Sequence, residues 1–318
     1  MNSSLPSSEF IPHGCEVYEV MGGRLHQPSI LTQASLIIVI VVIILTSPVT
    51  AAMNSLVMIA VKMKARLRVH KSNIALALLA STYLTVGVLV HPLYVALMRT
   101  ILLDGTSSAS CALQALTRVL CSIGVCASLI HMALISGEWF LAMRRPFAHF
   151  TLVTDSSLLA ASVLAWLLSI ILHIPLAVNK SAFFSIKNTF VGLCIAFILF
   201  CHITVYREIR RHENQIAAQQ VTVKAREQFE KDKKAFKVTF IVIIVLMLYY
   251  FPILIFRAVL VRYLSKISSE VLYIYLFLAT LMAFLNSLLT PVIYSFRLRE
   301  FRLAFIKLIF NSREHCRG

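Results

Sequence analysis

The sequence predicts an all-α membrane protein: a seven-transmembrane helix bundle with a short amphipathic eighth helix. Three observations predict it: seven long stretches without charge, a composition of 59% hydrophobic and 14% charged residues, and Lys and Arg gathered in alternate connections. At roughly 1.5 Å per residue, each stretch is long enough to cross a hydrocarbon core about 30 Å thick. The stretches are Ile30–Val61, Ser72–Met98, Val119–Gly137, Ser156–Asn179, Asn188–Tyr206, Val238–Phe256 and Val271–Phe296.

The chain has a net charge of +16, and the placement of the basic residues explains it without nucleic acid. If the N-terminus lies outside, 22 of the 30 Lys and Arg residues fall on inner segments. This is the positive-inside pattern, and anionic membrane lipids attract such segments. The inner segments are Lys62–Lys71, Arg144–Arg145, Arg207–Lys237 and Arg297–Gly318.

We therefore expect a multi-pass plasma-membrane protein in three parts. Residues 1–29 form an extracellular N-terminal segment, 30–296 the transmembrane domain, and 297–318 an amphipathic helix and cytoplasmic tail. The first 29 residues lack the basic start and short apolar core of a cleavable signal peptide, so the first span is expected to act as the anchor.

The predicted outer segments carry two kinds of modification candidate. The sequons at Asn2 and Asn179 are expected glycosylation sites. Of the seven cysteines, Cys15 and Cys111 are the two expected to face the oxidising side. A disulfide could join them, or both thiols could remain free.

Landmark residues occur in the spans in a fixed order: Asn54 in the first, Trp166 in the fourth, Tyr206 at the inner end of the fifth and Pro252 in the sixth. The seventh span ends with Thr290-Pro291-Val292-Ile293-Tyr294. Together these residues resemble the rhodopsin-like (class A) G-protein-coupled receptors over residues 30 to 310. The last motif is similar to the family's Asn-Pro-x-x-Tyr, with Thr290 in place of Asn.

The resemblance implies a receptor that transduces an extracellular ligand signal to a heterotrimeric G protein, with arrestin as a second partner. Tyr206 and Tyr294 would be partners in the rearrangement. The segment Arg207–Lys237 is rich in helix formers and is expected to extend the fifth and sixth helices inward. A G protein or arrestin would dock there, although a solvated loop has the same composition.

The motif Glu138-Trp139-Phe140 stands where the family has Asp-Arg-Tyr. In relatives the Arg pairs with its acidic neighbour at rest. The indole of Trp139 has one donor and no charge, so the ionic latch is lost. Either packing holds the resting state, or coupling to G protein is impaired.

Two further departures concern the bundle interior. Tyr83 stands where relatives have the Asp of a sodium site, beside Ser128, Asn286 and Thr290. A phenol does not supply the negative charge that a hard cation requires, so no sodium-linked allostery is expected. Tyr250 stands at the position of the sixth-helix tryptophan, two residues before Pro252.

Prolines bend the predicted helices. Pro92, Pro175, Pro252 and Pro291 each remove a backbone hydrogen bond within a span. Such kinks could be pivots for motion or static bends.

The ligand pocket is expected in the outer half of the bundle, between helices. In the resemblance, Phe284 replaces the Lys of retinal-binding opsins and Cys121 replaces the Asp of amine receptors, so neither ligand class fits. Arg99, Arg118 and Arg257 lie near outer helix ends, and an anionic or lipid-like ligand would pair with them. They could instead reach lipid headgroups. The candidate ligand-binding residues are Arg99, Arg118, Cys121, Tyr250, Arg257 and Tyr273.

Other functions find less support. The alternative is a divergent receptor-like protein without G-protein coupling, which acts as a partner subunit or a ligand sink. A transporter would predict inverted repeats or several carboxylates within spans, and neither is found. No nucleophile, base or metal cluster recurs at catalytic spacing, so we expect no enzyme, cofactor or metal site.

Overall fold

The computed structural model describes residues 29–103, 108–174, 180–218, 223–263 and 269–315, and every regular element in these ranges is a helix. The predicted all-α fold is confirmed. Several predicted residues lie outside the described part of the chain: Asn2, Cys15, Pro175 and Asn179 entirely, and the side chains of Cys111, Tyr250, Pro252, Arg257 and Tyr273.

Eleven helices follow one another in the described ranges. They are α1 (Ile30–Met63), α2 (Ala65–Arg68), α3 (Lys71–Thr85), α4 (His91–Leu103), α5 (Ser108–Arg144), α6 (Pro146–Leu152), α7 (Asp155–Ile171), α8 (Lys180–Ala218), α9 (Val223–Tyr263), α10 (Ser269–Arg297) and α11 (Arg299–His315). The seven predicted spans lie on α1, α3 with α4, α5, α7, α8, α9 and α10.

Within the described residues, five helical segments are long and apolar enough to cross a membrane. A sixth exists if α6 and α7, which meet at a bend of 76°, form one span. The remaining predicted span lies on α9. Helix α5 is central, because it packs on α3, α7 and α8, while α1 closes the bundle against α3 and α10.

The bend between α6 and α7 follows from local sequence. Pro146 occupies the first turn of α6, where its missing N–H costs nothing. Helix α7 starts with a capping box, in which Thr154 and Ser157 each bond the backbone N–H of the other at 3.1 and 2.9 Å. A short helix therefore crosses the bundle end before the next span begins.

A π-helical turn, Val86–Val90, joins α3 to α4 within the second span. The His91 N–H bonds the Val86 carbonyl, so the Gly87 carbonyl would next need the nitrogen of Pro92, which carries no hydrogen. The hydroxyl of Ser47 on α1 donates to that carbonyl instead, at 2.8 Å. A side chain from α1 thus completes the backbone bonding of the second span.

Pro291 creates the same need in α10. Its ring removes the N–H that would bond the Ser287 carbonyl one turn earlier. The Nδ2 of Asn54 on α1 donates to that carbonyl at 3.1 Å, and also to the Thr50 carbonyl at 2.8 Å. The two landmark residues Asn54 and Pro291 therefore belong to one buried arrangement.

One end of the bundle is rich in basic residues, and we call it the basic end; it contains Arg66, Arg144 and Arg297. Helix α11 lies against it and buries Phe301, Ala304 and Phe305. The amphipathic eighth helix is thus present, and Glu300 at its start pairs with Arg66 at 3.2 Å. Helices α8 and α9 also continue through the segment Arg207–Lys237, apart from residues 219–222, which lie outside the description.

Replacement of Gly87 by Val is expected to destabilise the bundle. A Cβ there would lie 3.3 Å from both the Ala51 backbone nitrogen and the Thr50 Cγ2. Because the backbone nitrogen of Ala51 cannot turn away from the new side chain as a flexible side chain could, overpacking should cost about 1–3 kcal/mol. Thermal unfolding of the purified protein would measure it. The matched control is Gly192→Val, because no atom lies within 4 Å of a Cβ at Gly192. Equal unfolding midpoints for the two variants would contradict this account of the contact between α1 and the π-helical turn Val86–Val90.

Candidate coupling and ligand sites

The indole of Trp139 is buried at the basic end of α5 and packs on a ring from α9. Its centroid lies 6.0 Å from that of Phe236, with the planes at 71°, an edge-to-face arrangement. Such a pair is favourable beyond its buried area. Trp139 therefore links α5 to α9 by packing, at the position where the resemblance leads one to expect a charge.

Phe236 is the centre of a larger aromatic cluster. The ring of His202 on α8 stacks on it at 5.3 Å with the planes at 20°, and Phe240 stacks next along α9 at 6.4 Å. His202 also places Nδ1 3.1 Å from the Ile198 carbonyl oxygen. We call Trp139, His202, Phe236 and Phe240 the aromatic cluster. It joins α5, α8 and α9.

Glu138 has a partner that the sequence did not predict. Its side chain is 6% exposed, and Oε1 lies 3.0 Å from Nε2 of His149 on α6. Oε2 is buried without a hydrogen-bond partner in the described structure. The contact ties the end of α5 to the short helix that follows it.

Ion pairs also connect the helices around the basic end. Arg144 on α5 pairs with Glu208 on α8, and Lys71 on α3 pairs with Asp155 on α7. They fix the positions of neighbouring helix ends, although exposed pairs of this kind contribute little to stability.

Farther out, Glu213 on α8 pairs with Lys233 on α9. The hydrogen bond from Lys233 lowers the pKa of the Glu213 carboxyl, and the bond to Glu213 raises the pKa of Lys233. The contribution of Glu213 to folding stability is lost as pH falls through its lowered pKa. The contribution of Lys233 to folding stability is lost as pH rises through its raised pKa. The pair is therefore intact at neutral pH, although its exposure keeps it weak.

Tyr206 and Tyr294 have different surroundings. Tyr206 is 51% exposed, and its hydroxyl accepts a hydrogen bond from Nε of Arg210 at 3.1 Å. Tyr294 is buried and packs on Phe301 of α11 at 6.4 Å. In this structure the side chains of Tyr206 and Tyr294 have different partners. That they become partners when the receptor changes conformation stays a prediction.

Tyr83 is buried in the middle of the bundle. It stands at the position where the resemblance implies the Asp of a sodium site. Nδ2 of Asn286 lies 3.4 Å from its hydroxyl, and the Thr290 side chain is also beside it. Next to these residues is a cavity with room for about one water molecule, lined by Ser128 as well. Every polar group here is neutral, so water fits this cavity better than a cation.

Three of the histidines within the spans differ in how many of their ring nitrogens are bonded. His131 lies 2.7 Å from the Ala127 carbonyl oxygen and 2.8 Å from the Ser162 hydroxyl. His173 and His202 place one nitrogen each against the backbone carbonyl four residues earlier, while the other nitrogen is buried without a partner in the described structure. Of these three, only His131 therefore has a partner for both ring nitrogens among the described residues.

Of the predicted ligand residues, the structure describes the side chains of Arg99, Arg118 and Cys121, which lie towards the end of the bundle opposite the basic end. Arg99 and Arg118 are both exposed there. Cys121 lines the cavity near Tyr83, together with Phe284. Phe284 packs on His91 at 4.3 Å and on Tyr94 at 5.3 Å, which fills the space between α4 and α10.

The sequence analysis missed two features of chemical interest. Phe147 and Phe150 on α6 are 89% and 86% exposed. Lys187 on α8 turns inward, and its ammonium group bonds the hydroxyl of Ser122 on α5. The predicted fifth span begins at Asn188, directly after Lys187, so the uncharged-stretch criterion leaves Lys187 outside the span.

A comparison with protein-family models matches residues 53–294 to the 7 transmembrane receptor (rhodopsin family) model. The matched region contains Asn54, Glu138, Trp139, Pro291 and Tyr294. A search of curated proteins gave no match.

The contact between His149 and Glu138 yields a stability prediction. His149→Ala should leave the buried carboxylate without a donor and destabilise the protein by about 1–3 kcal/mol. Adding Glu138→Gln should recover part of the loss, because a neutral amide is less costly to bury. Thermal unfolding of both variants measures the effect, with His70→Ala at the start of α3 as the control. A double variant less stable than His149→Ala would show that the contact does not act in this way.

Proposed function

Because the chain belongs to the rhodopsin family of seven-transmembrane receptors, we propose that it passes an extracellular ligand signal to a heterotrimeric G protein at its basic end. Members of this family are receptors rather than enzymes, and the chain is a multi-pass membrane protein. In this proposal the N-terminus lies outside the plasma membrane, and the basic end faces the cytoplasm.

The observation that carries the proposal is the contact between Trp139 and Phe236. A receptor of this kind needs an inner end that is closed at rest and can open, and a ligand shifts the population between the two states. In relatives an ion pair contributes to the closed state. Here the aromatic cluster supplies the contact between α5 and α9. The inner end can therefore close at rest even though Trp139 replaces the arginine of the family's ion pair.

A partner surface lies beside this contact. Phe147 and Phe150 lie on α6, the short helix that directly follows the end of α5 where Trp139 lies. Both aromatic rings are exposed. Aromatic residues are enriched where protein interfaces are tightest. Basic residues Arg144 and Arg145 border these rings and complement an acidic partner surface. The G protein is the proposed occupant, and arrestin would compete for the same end.

The ligand is proposed to be anionic or lipid-like and to bind in the outer half. Arg99 and Arg118 are exposed near helix ends, where contact with membrane lipid headgroups is also available to them. Arg257, Tyr250 and Tyr273 remain proposed ligand residues, as do the glycosylation sites Asn2 and Asn179 and a disulfide between Cys15 and Cys111.

One observation favours the second candidate, a receptor-like partner subunit or ligand sink without G-protein coupling. Trp139 cannot form charged contacts, and Tyr206 is directed outward to Arg210 rather than into the bundle. Both residues belong to the coupling machinery that the family resemblance implies. The uncoupled alternative is therefore tested together with the main proposal.

Phe236→Ala should raise ligand-independent signalling, because it removes the ring that Trp139 and His202 contact. An aromatic pair contributes about 0.5–1.5 kcal/mol beyond its buried area, so basal G-protein dissociation should rise about 2- to 10-fold. The assay compares cells with equal surface expression, across all G-protein classes. Phe251→Ala is the matched control, because this ring lies on the same helix and is exposed.

Trp139→Arg in the same assay separates the two candidate functions. If the native chain and Phe236→Ala signal, the receptor proposal is supported. Signalling by Trp139→Arg alone would favour the uncoupled partner or sink. If no form releases any G protein, with a ligand library included, the proposed coupling is wrong.

Phe147→Ala should weaken coupling without loss of folding, because the ring is 89% exposed and buries almost nothing in the receptor itself. Truncation of an interface anchor commonly costs more than about 1 kcal/mol, so the potency of G-protein activation should fall about fivefold or more. Leu152→Ala on the same helix, also exposed, is the control. Equal coupling by native and Phe147→Ala forms would remove α6 from the proposed interface.

A further inference from the structure

Lys187 places a positive charge against the inner helices near the start of α8. Its ammonium group bonds the Ser122 hydroxyl on α5 and lies 5.6 Å from the centroid of the Phe183 ring. Its charge also acts on Cys121, Cys126 and His173. Unlike Arg99 and Arg118, which are exposed, Lys187 is half-buried and turned towards α5.

His173 supplies a second polar group at the same place. It is 8% exposed, and its ring centroid lies 5.3 Å from that of Phe183, the ring that Lys187 also contacts. Nδ1 lies 2.7 Å from the Ser169 carbonyl oxygen. A carbonyl only accepts, so Nδ1 carries the hydrogen and Nε2 is left as an acceptor. Nε2 is buried without a partner in the described structure.

The edge of this region faces the surroundings of the bundle rather than its closed interior. Helices α7 and α8 both pack on α5, but over the described residues they hardly pack on each other. Ile171 and Ile174, which flank His173 in the chain, and Ile186, which precedes Lys187, are exposed. In a membrane such side chains meet lipid tails, so an acyl chain could lie here while its head group reaches Lys187.

We infer that Lys187, Ser122 and His173 form a binding site for a single-chain anionic amphiphile whose head group carries both an oxyanion and a hydroxyl. The oxyanion pairs with the Lys187 ammonium, and a charge-assisted bond of this kind is strong away from water. The ligand hydroxyl donates to Nε2 of His173. As the ligand site of the proposed receptor, the site rests on the proposed function for its role in signalling but not for binding itself.

Two chemical sources share this head group: a lysophosphatidate, with a phosphate and a glycerol hydroxyl, and a 2-hydroxy fatty acid, with a carboxylate. Both have one acyl chain, which suits the edge between α7 and α8. The cavity beside Tyr83 has room for about one water, so it does not compete as the place for such a ligand.

The test is equilibrium binding to the purified full-length protein in phosphatidylcholine nanodiscs, without a G protein. The probe is radiolabelled 1-oleoyl-lysophosphatidate, displaced by 2-hydroxyoleate, by oleate and by uncharged 1-oleoylglycerol. The variants are Lys187→Met, Lys187→Arg, Ser122→Ala and His173→Phe. Arg99→Met is the matched control, since it removes an outer cation away from this site. Elution profile and unfolding midpoint establish that each variant is folded.

We expect the native protein to bind at least one anionic probe, and to bind 1-oleoylglycerol at least tenfold more weakly. Lys187→Met should weaken binding about 10- to 100-fold, while Lys187→Arg retains most of it. His173→Phe should abolish the preference for 2-hydroxyoleate over oleate. If Lys187→Met does not fold, Ser122→Ala and His173→Phe still test the site, each with an expected loss of about threefold or more.

Three outcomes would overturn the inference: no anionic probe binds the native protein, Lys187→Met binds like the native protein, or the uncharged probe binds as well as the charged ones. Since no G protein is present, these outcomes leave the proposed coupling intact. Intact binding without any G-protein release in cells would instead overturn the proposed function alone.

Discussion

The bond from Asn54 to the carbonyl of Ser287 is the interaction on which the arrangement of the bundle most depends. Within a bilayer no water is available to a free backbone carbonyl, and an unsatisfied one is costly. Pro291 frees this carbonyl in α10, and α1 must lie close enough to supply the donor. Ser47 meets the same requirement where Pro92 leaves the Gly87 carbonyl free. Polar side chains of the first span therefore bond the carbonyls that prolines leave free in the second and seventh spans, which places α1 against both.

Once the helices are placed in this way, two positions at which the family resemblance implies charge are occupied by neutral aromatic residues. Tyr83 replaces an aspartate in the middle of the bundle, and Trp139 replaces an arginine at the basic end. Each substitution exchanges a charged group for an aromatic ring that its neighbours can bury: Asn286 bonds the Tyr83 hydroxyl, and Phe236 covers the Trp139 ring. A buried charge needs a matching partner, whereas the apolar part of an aromatic ring is buried by packing. The Nε1 of Trp139 is buried without a hydrogen-bond partner in the described structure, so packing alone holds this indole.

The remaining charges are found at the two ends, where they have different surroundings. At the basic end, Arg144, Lys71, Arg66 and Lys233 pair with carboxylates of neighbouring helices, and such pairs position helix ends more than they stabilise them. At the opposite end Lys187 contacts a hydroxyl and an aromatic ring beside the buried His173. The first arrangement suits a surface that a protein partner can cover. The second suits recognition of a small anion with an apolar tail.

The helical class, the positions of the spans, the amphipathic α11 and the family could be predicted from the amino-acid order alone, because hydrophobic length and the order of landmark residues are properties of the chain. The same reasoning singled out Glu138, Trp139, Tyr83 and Pro291. What these residues contact became known only from the folded bundle. The pairing of Glu138 with His149, the packing of Trp139 on Phe236 and the bond from Lys187 to Ser122 each join different helices. Such contacts depend on the rotation and crossing of helices, and these are set by packing rather than by any local sequence pattern.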